Sequence, residues 1–388
     1  MRSEKGEEFL ISRGAPFYQL QKRLGLLADD AHRSGRRALV FVAITAGVPI
    51  ILGLIHGGFS HVFGMLTGPG FVARCILFIA ICFLMERSLE ARFRAFLARF
   101  SESGLLPDSA RPKAAEALNQ ALGMRNSWAA EVICLMLALG LSLYAQSHFL
   151  TGAGRDWLLT AAETGNKLTP AGWWVTVVSS SVFWFLLFRW LWRVFVWGFL
   201  LSRIAKLDLR LVVTHPDGMG GLAFIGRYPN SFVPFVLGIS CVFAADVYRL
   251  LGDRIIDVPL YSGLMAAWIL FVLVLFSLSL AVFIEPLSKL RDETLRRSDP
   301  LDTEIQRNKE RTIFGRNFMA PDDDETDAEA LTDPASFRKA ADTLTTMPIS
   351  RRALLPLGVA ALAPLLLAGA TQLPIRDLLK AAKVLLVI

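Results

Sequence analysis

Charge is scarce in this chain. Asp, Glu, Lys and Arg make up 19% of its 388 residues against 54% apolar ones, and mean hydropathy is +0.47. A soluble domain has to keep its surface wet, so this shortage excludes an ordinary globular fold with a large core. The charges present are gathered in blocks between long apolar runs, the pattern of a membrane chain. Cysteine is scarce too. Cys75, Cys82, Cys134 and Cys241 all lie in apolar runs, with no C-x-x-C pair and no Cys/His zinc spacing, and read as small buried hydrophobes. His56, His61 and His148 fall on one side of the expected topology, but the gap of five between the first two fits neither one helix face nor a zinc pattern, so no metal site is assigned.

Catalytic signatures are missing as well. There is no nucleotide P-loop, no G-x-G-x-x-G, no G-x-S-x-G and no H-E-x-x-H, and no cofactor is implied. No single helix carries the string of acids expected of a proton pump. No internal repeat is visible, and no cleavable leader is expected: the first apolar run begins at residue 38, after a charged segment, and reads as an uncleaved insertion signal.

What is present is an all-α, polytopic transmembrane helix bundle. Six apolar runs, about 38–56, 71–87, 128–146, 173–201, 231–251 and 264–285, reach the roughly 20 residues that a 30 Å hydrocarbon core demands. Lys and Arg set the orientation. Segments 1–37, 88–127, 202–230 and 286–353 carry eight, six, four and twelve, while the intervening loops carry none to two. The alternation places the N-terminus in the cytoplasm of a cell with an inner membrane. The same loops account for the net charge of +7 by their position beside anionic lipid, so no nucleic acid partner is inferred.

A seventh stretch, about 353–371, contains Pro356 and Pro364 and is followed by an amphipathic tail with Arg376, Lys380 and Lys383. It is re-entrant, interfacial or a seventh span, and a non-crossing segment is preferred because it keeps the tail charges inside. Leu89, Phe93, Phe96, Leu97 and Phe100 form one apolar face and predict an amphipathic helix lying in the inner interface or packing on a partner. Phe17, Leu20, Leu24 and Leu27 repeat that theme. Segment 286–313 is expected to continue the sixth helix. The six acids within 322–329 read as a solvated loop, and 286–353 as a whole is a candidate docking segment for a soluble cytoplasmic partner. Residues 354–388 form the hydrophobic C-terminal segment.

The most distinctive string, Thr214-His215-Pro216-Asp217-Gly218-Met219-Gly220-Gly221-Leu222, falls in the connection between the fourth and fifth spans. Pro-Asp-Gly is a turn signal in its own right. The same residues also offer chemistry: Gly218, Gly220 and Gly221 permit a nest of N–H groups for an anion, with His215, Asp217, Asp208 and Arg210 as flanking ligands or proton acceptors for a phosphate, lipid headgroup or ion. His-Pro-Asp followed by Gly220-Gly221-Leu222-Ala223-Phe224 resembles a signature of uncharacterised bacterial multi-spanning inner-membrane proteins. The resemblance covers the fourth and fifth spans and their linker, and it brings no activity with it.

Polar groups within the spans are the other candidates. Asp246 is expected near the outer end of the fifth, neutralised by Arg249 at i,i+3, and Arg74 near the outer end of the second. Glu86 and Glu131 lie near inner ends, where each reaches water or meets Arg189 or Arg193. Those two arginines, set among Trp190, Trp192 and Trp197, read first as anchors that snorkel to headgroups. Three functions fit: translocation, weighed first; a membrane-embedded enzyme or receptor at the 214–221 loop; or a scaffold or regulatory subunit.

Overall fold

The computed structural model describes residues 14–26, 34–151, 157–162, 165–252, 257–319, 335–349 and 351–372. The acidic run at 322–329 and the amphipathic tail lie outside them. The elements are α1 (Ala15–Arg23), α2 (Ser34–Thr67), α3 (Pro69–Glu102), α4 (Arg111–Arg125), α5 (Trp128–Thr151), a hairpin of β1 (Leu159–Ala162) and β2 (Gly165–Leu168), α6 (Pro170–Ala205), α7 (Ile225–Gly252), α8 (Val258–Ala281), α9 (Ile284–Phe314), α10 (Ala335–Thr343) and α11 (Arg351–Ala370). Among the described residues seven helices are long and apolar enough to cross a membrane: α2, α3, α5 with its approach through α4, α6, α7, α8 and α11. The chain is therefore an all-α, multi-pass integral membrane protein.

Successive spans run antiparallel and give the bundle two ends. The loop end carries α1, α4 and the 206–224 connection, and the hairpin end is closed by β1–β2. The stretch at 353–371 resolves as a continuous helix of full length. A Cβ at Gly226, at the loop end of α7, would sit 2.0 Å from the Pro348 carbonyl oxygen, and one at Gly252, at the hairpin end, 3.6 Å from Gln372 Nε2. α11 thus runs alongside α7 from one end to the other, with Leu357, Ala361 and Leu365 fully buried. This corrects the preference for a re-entrant or interfacial segment. Pro356 and Pro364 lie inside the helix and do not stop it, as is tolerated in membrane-spanning helices. Gly226 is what lets the two backbones meet.

α6 is the central strut. Phe183, Trp190 and Trp197 on it are buried against Phe78, Phe93, Phe232 and Phe235, with Phe93 and Trp197 ring centroids 4.3 Å apart. Trp190 and Trp197 are core residues, not members of an interfacial belt. Trp192 faces α4 and donates to the Met124 carbonyl at 3.2 Å.

α3 has 34 residues, about 50 Å, and so exceeds the hydrocarbon core. Its far half is the amphipathic helix that the sequence predicts, but its face is closed by the chain itself: Leu89, Phe93, Leu97 and Phe100 pack on α6, α7 and the start of α9. Neither an interface helix nor a stalk for a partner is left on that face. α1 behaves in part likewise, with Phe17 packed edge-on to Phe185 while Leu20 and Leu24 stay exposed. α8 passes into α9 through a short break at Val282–Phe283, and α10 docks on α9 through Arg338, which bridges Asp299 at 2.8 Å and Asp302 at 2.9 Å.

Candidate functional site

The 214–224 loop is built around one carboxylate. Asp217 accepts N–H bonds from Met219 (2.8 Å), Gly221 (3.1 Å) and Ala223 (3.0 Å), and His215 Nδ1 lies 2.8 Å from it. Gly218, Gly220 and Gly221 all have positive φ, which turns those N–H groups inward. Partial burial opposes ionisation, but the three N–H donors and His215 outweigh it and hold the Asp217 carboxyl below the usual carboxylate range. The nest is real, and Asp217 fills it. The loop also ties neighbours together: the Gly218 carbonyl accepts from Thr345 N–H at 2.9 Å, and Arg210 N–H donates to Leu105 at 2.8 Å. Asp208 does not join His215. It lines a broad groove between the 202–211 segment and α9, where Lys206, Lys289, Arg296 and Arg297 face Glu285, Asp292, Glu293 and Asp208 itself, four charges of each sign.

A second cluster lies inside the bundle at the loop end. Arg37, Glu86, Arg189, Arg193 and Glu131 are 2%, 2%, 5%, 3% and 8% exposed. Arg37 pairs with Glu86, Arg193 lies 3.6 Å from the same carboxylate, and Arg189 donates to Glu131 at 2.8 Å. The arginines do not snorkel; they meet the two glutamates, the other alternative that the sequence offers. Three guanidinium faces are also stacked on rings: Arg37 on Phe83, Arg189 on Phe17 and Arg193 on Trp190, at 4.9, 4.9 and 4.6 Å. α1 reaches in to complete the cluster. Phe17 N–H donates to Glu131 at 2.7 Å, and Gln21 accepts from Arg37 at 2.6 Å. Sequence reasoning missed Arg37 and Gln21. The signal for Arg37 was its place in the first turn of α2, inside the span rather than before it.

The third site lies toward the hairpin end, where three helices loosen into π turns at Ala43–Gly47, Val72–Phe78 and Trp174–Ser179. Pro49 explains the first. It has no N–H to give to the preceding turn, so the carbonyls there need other donors. α6 supplies them: Trp174 Nε1 donates to Ile44 at 2.9 Å and Ser179 Oγ to Thr45 at 2.7 Å. Thr45 Oγ1 in turn lies 2.7 Å from the Cys75 carbonyl. The turns of α3 and α6 line a cavity of about 90 Å³ together with Arg74, Asp246, Arg249, Ser180 and Trp157, just ahead of β1. Asp246 pairs with Arg74, across the helix boundary, rather than with Arg249 along its own helix. The Val72–Phe78 turn of α3, which carries Arg74, packs directly on α7 and so presents that guanidinium to the carboxylate.

Between this cavity and the buried cluster stands a layer of rings in edge-on and tilted contact, Phe78, Phe183, Phe235 and Trp190, with Phe78 and Phe183 centroids 4.9 Å apart. Along α6 the step from Ser180 to Arg193 is about 20 Å. Among the described residues no group of three or more His, Cys, Asp or Glu side chains gathers as a metal site. Comparison of the chain with protein-family models, with curated proteins and with solved structures gives no match.

Proposed function

We propose that the chain is a translocation protein of a bacterial inner membrane, N-terminus in the cytoplasm, with the hairpin end outside and the loop end inside. One observation carries this reading: charged side chains pair between spans at two levels of the bundle, one buried and one beside a cavity, with an aromatic layer between. Charges within a span are costly and are retained where an ion or polar group has to be handled. In this reading the cluster of Arg37, Glu86, Arg193, Arg189 and Glu131 is the closed inner gate. The Arg74–Asp246 cavity is the outer half of the path. The reading of an enzyme at the 214–221 loop has less support, because Asp217 is engaged by its own backbone and Asp208 faces another groove.

Coupled accessibility tests the proposal. In a chain whose only cysteines are the native Cys82, buried beside Glu86, and an introduced S180C in the cavity wall, each is labelled by membrane-impermeant thiol reagents applied from one side of a vesicle. Glu86→Gln, which loosens the inner cluster, is expected to speed labelling of Cys82 from the cytoplasmic side and to slow labelling at position 180 from the other. Labelling at 180 that is indifferent to the inner substitution removes the basis for alternating access.

A further inference from the structure

Arg74 and Asp246 face two spaces at once. Behind them is the small cavity lined by Trp157, Thr176 and Ser179. On the other side runs a groove of about 290 Å³ between α6 and α8, floored by α7 and lined almost wholly by apolar side chains such as Trp184, Leu187, Ile239, Trp268 and Phe271. The ion pair is half-exposed, 33% and 39% for the two side chains, and stands where the two spaces meet. The groove opens sideways, since Phe271 on its rim is 54% exposed. It extends from Phe235 to Asp246 along α7, about 16 Å. In a membrane the medium at that rim is hydrocarbon, so the groove admits a chain and excludes a solvated ion. The head of that chain would meet Arg74 and Arg249 against Asp246, a net charge of +1 from the cavity's ionisable side chains.

We infer that this groove is a lipid site: one acyl chain of an anionic phospholipid lies between α6 and α8, and its headgroup phosphate is drawn to Arg74 and Arg249 at the mouth of the cavity. This names an occupant for the cavity that the translocation reading uses. It rests on that reading only for the leaflet in which the cavity lies. Binding is measured at equilibrium and without flux, so a chain that holds lipid but fails the coupled-labelling test separates the two.

The probe is phosphatidylglycerol with a photoreactive group in one acyl chain, doped into phosphatidylcholine nanodiscs that hold the full chain; the matched phosphatidylcholine probe is the control. Irradiation should label peptides carrying Leu187, Trp268 or Phe271, with the anionic probe preferred. One basic side chain beside an anionic headgroup is worth about a fivefold preference, so Arg249→Gln should lower the ratio by about that factor. The decisive comparison is between the two partners of the ion pair. Arg74→Gln and Asp246→Asn break the same contact, so a purely structural role moves both in one direction. Charge recognition moves them apart: Arg74→Gln lowers the preference for the anionic probe and Asp246→Asn raises it. Leu187→Trp, which fills the groove and leaves every charge in place, should abolish labelling of Phe271. Equal labelling by both probes in the wild type, meaning ordinary boundary lipid only, or same-direction shifts in the two ion-pair variants, overturns the inference.

Discussion

Removing Glu131 should cost far more than removing Glu131 and Arg189 together. The structure sets the magnitudes. Glu131 holds the buried Arg189 at 2.8 Å and accepts the Phe17 N–H at 2.7 Å, and both glutamate and arginine are nearly inaccessible. Glu131→Leu leaves a guanidinium inside the bundle without its carboxylate, which costs about 3–5 kcal/mol. It also orphans the Phe17 N–H, adding about 1–3 kcal/mol, toward the low end because that group is only half-buried. Replacing Arg189 by Met as well removes the uncompensated charge and fills its volume, so only the Phe17 term remains. The Phe17 term cancels between the two, so the double variant should stand about 3–5 kcal/mol above the single one. Unfolding titrations in mixed micelles, followed by the fluorescence of the nine tryptophans, measure the difference. Proteolysis gives a second, independent readout. α1 is held to α5 by the Phe17 bond, so tryptic cleavage at Lys22 and Arg23 should quicken in both variants, although only one is badly destabilised. A double variant as unstable as Glu131→Leu, or a single variant within about 0.5 kcal/mol of wild type, would show that the cluster is solvated in the membrane and is not a seal.

Three further outcomes follow from local geometry. Gly226→Ala should cost about 1–3 kcal/mol by driving a methyl into the Pro348 carbonyl and displacing the start of α11, whereas Gly263→Ala in α8, with open space around its Cβ position, should be neutral or stabilising; thermal denaturation of the two variants side by side checks this. Ser179→Ala should cost about 1 kcal/mol by orphaning the Thr45 carbonyl, and Pro49→Ala should recover part of that loss by restoring a backbone N–H, so the two together are less harmful than their sum. Asp217 has its pKa depressed in the fold, so its contribution is fully present above the ordinary carboxylate pKa and disappears as pH falls through the lower folded value. Protease resistance of the 214–224 loop should therefore hold at neutral pH and fall in acid, while Asp217→Ala should be cut readily at every pH.

The spans were legible because the bilayer imposes a length and a hydropathy that no tertiary contact can override. The sixth-helix continuation, the amphipathic face on α3 and the turn at Pro216-Asp217-Gly218 were legible for the same kind of reason, as periodicity and local backbone chemistry. The partners of the charges were not. Asp246 has Arg249 three residues away and Arg74 at a separation of 172, and the distant one wins because helix packing fixes it in front of the carboxylate. The face of α3 likewise looked like a surface for membrane or partner, since amphipathicity reports that something covers a stripe and not what does. Arg189 and Arg193 show the limit most sharply. An arginine near a span's end, flanked by tryptophans, carries the same local signal whether it reaches lipid headgroups or turns inward to a glutamate on another helix. The difference lies in rotation of α6 about its axis. That rotation is set by Phe183, Trp190 and Trp197 seeking the core, and these three share a face with Arg193 and pull it inward with them. The rings that a linear reading assigns to the membrane interface are therefore the residues that bury the charges, and a charge so buried persists only where its counter-charge is held in place by the same packing.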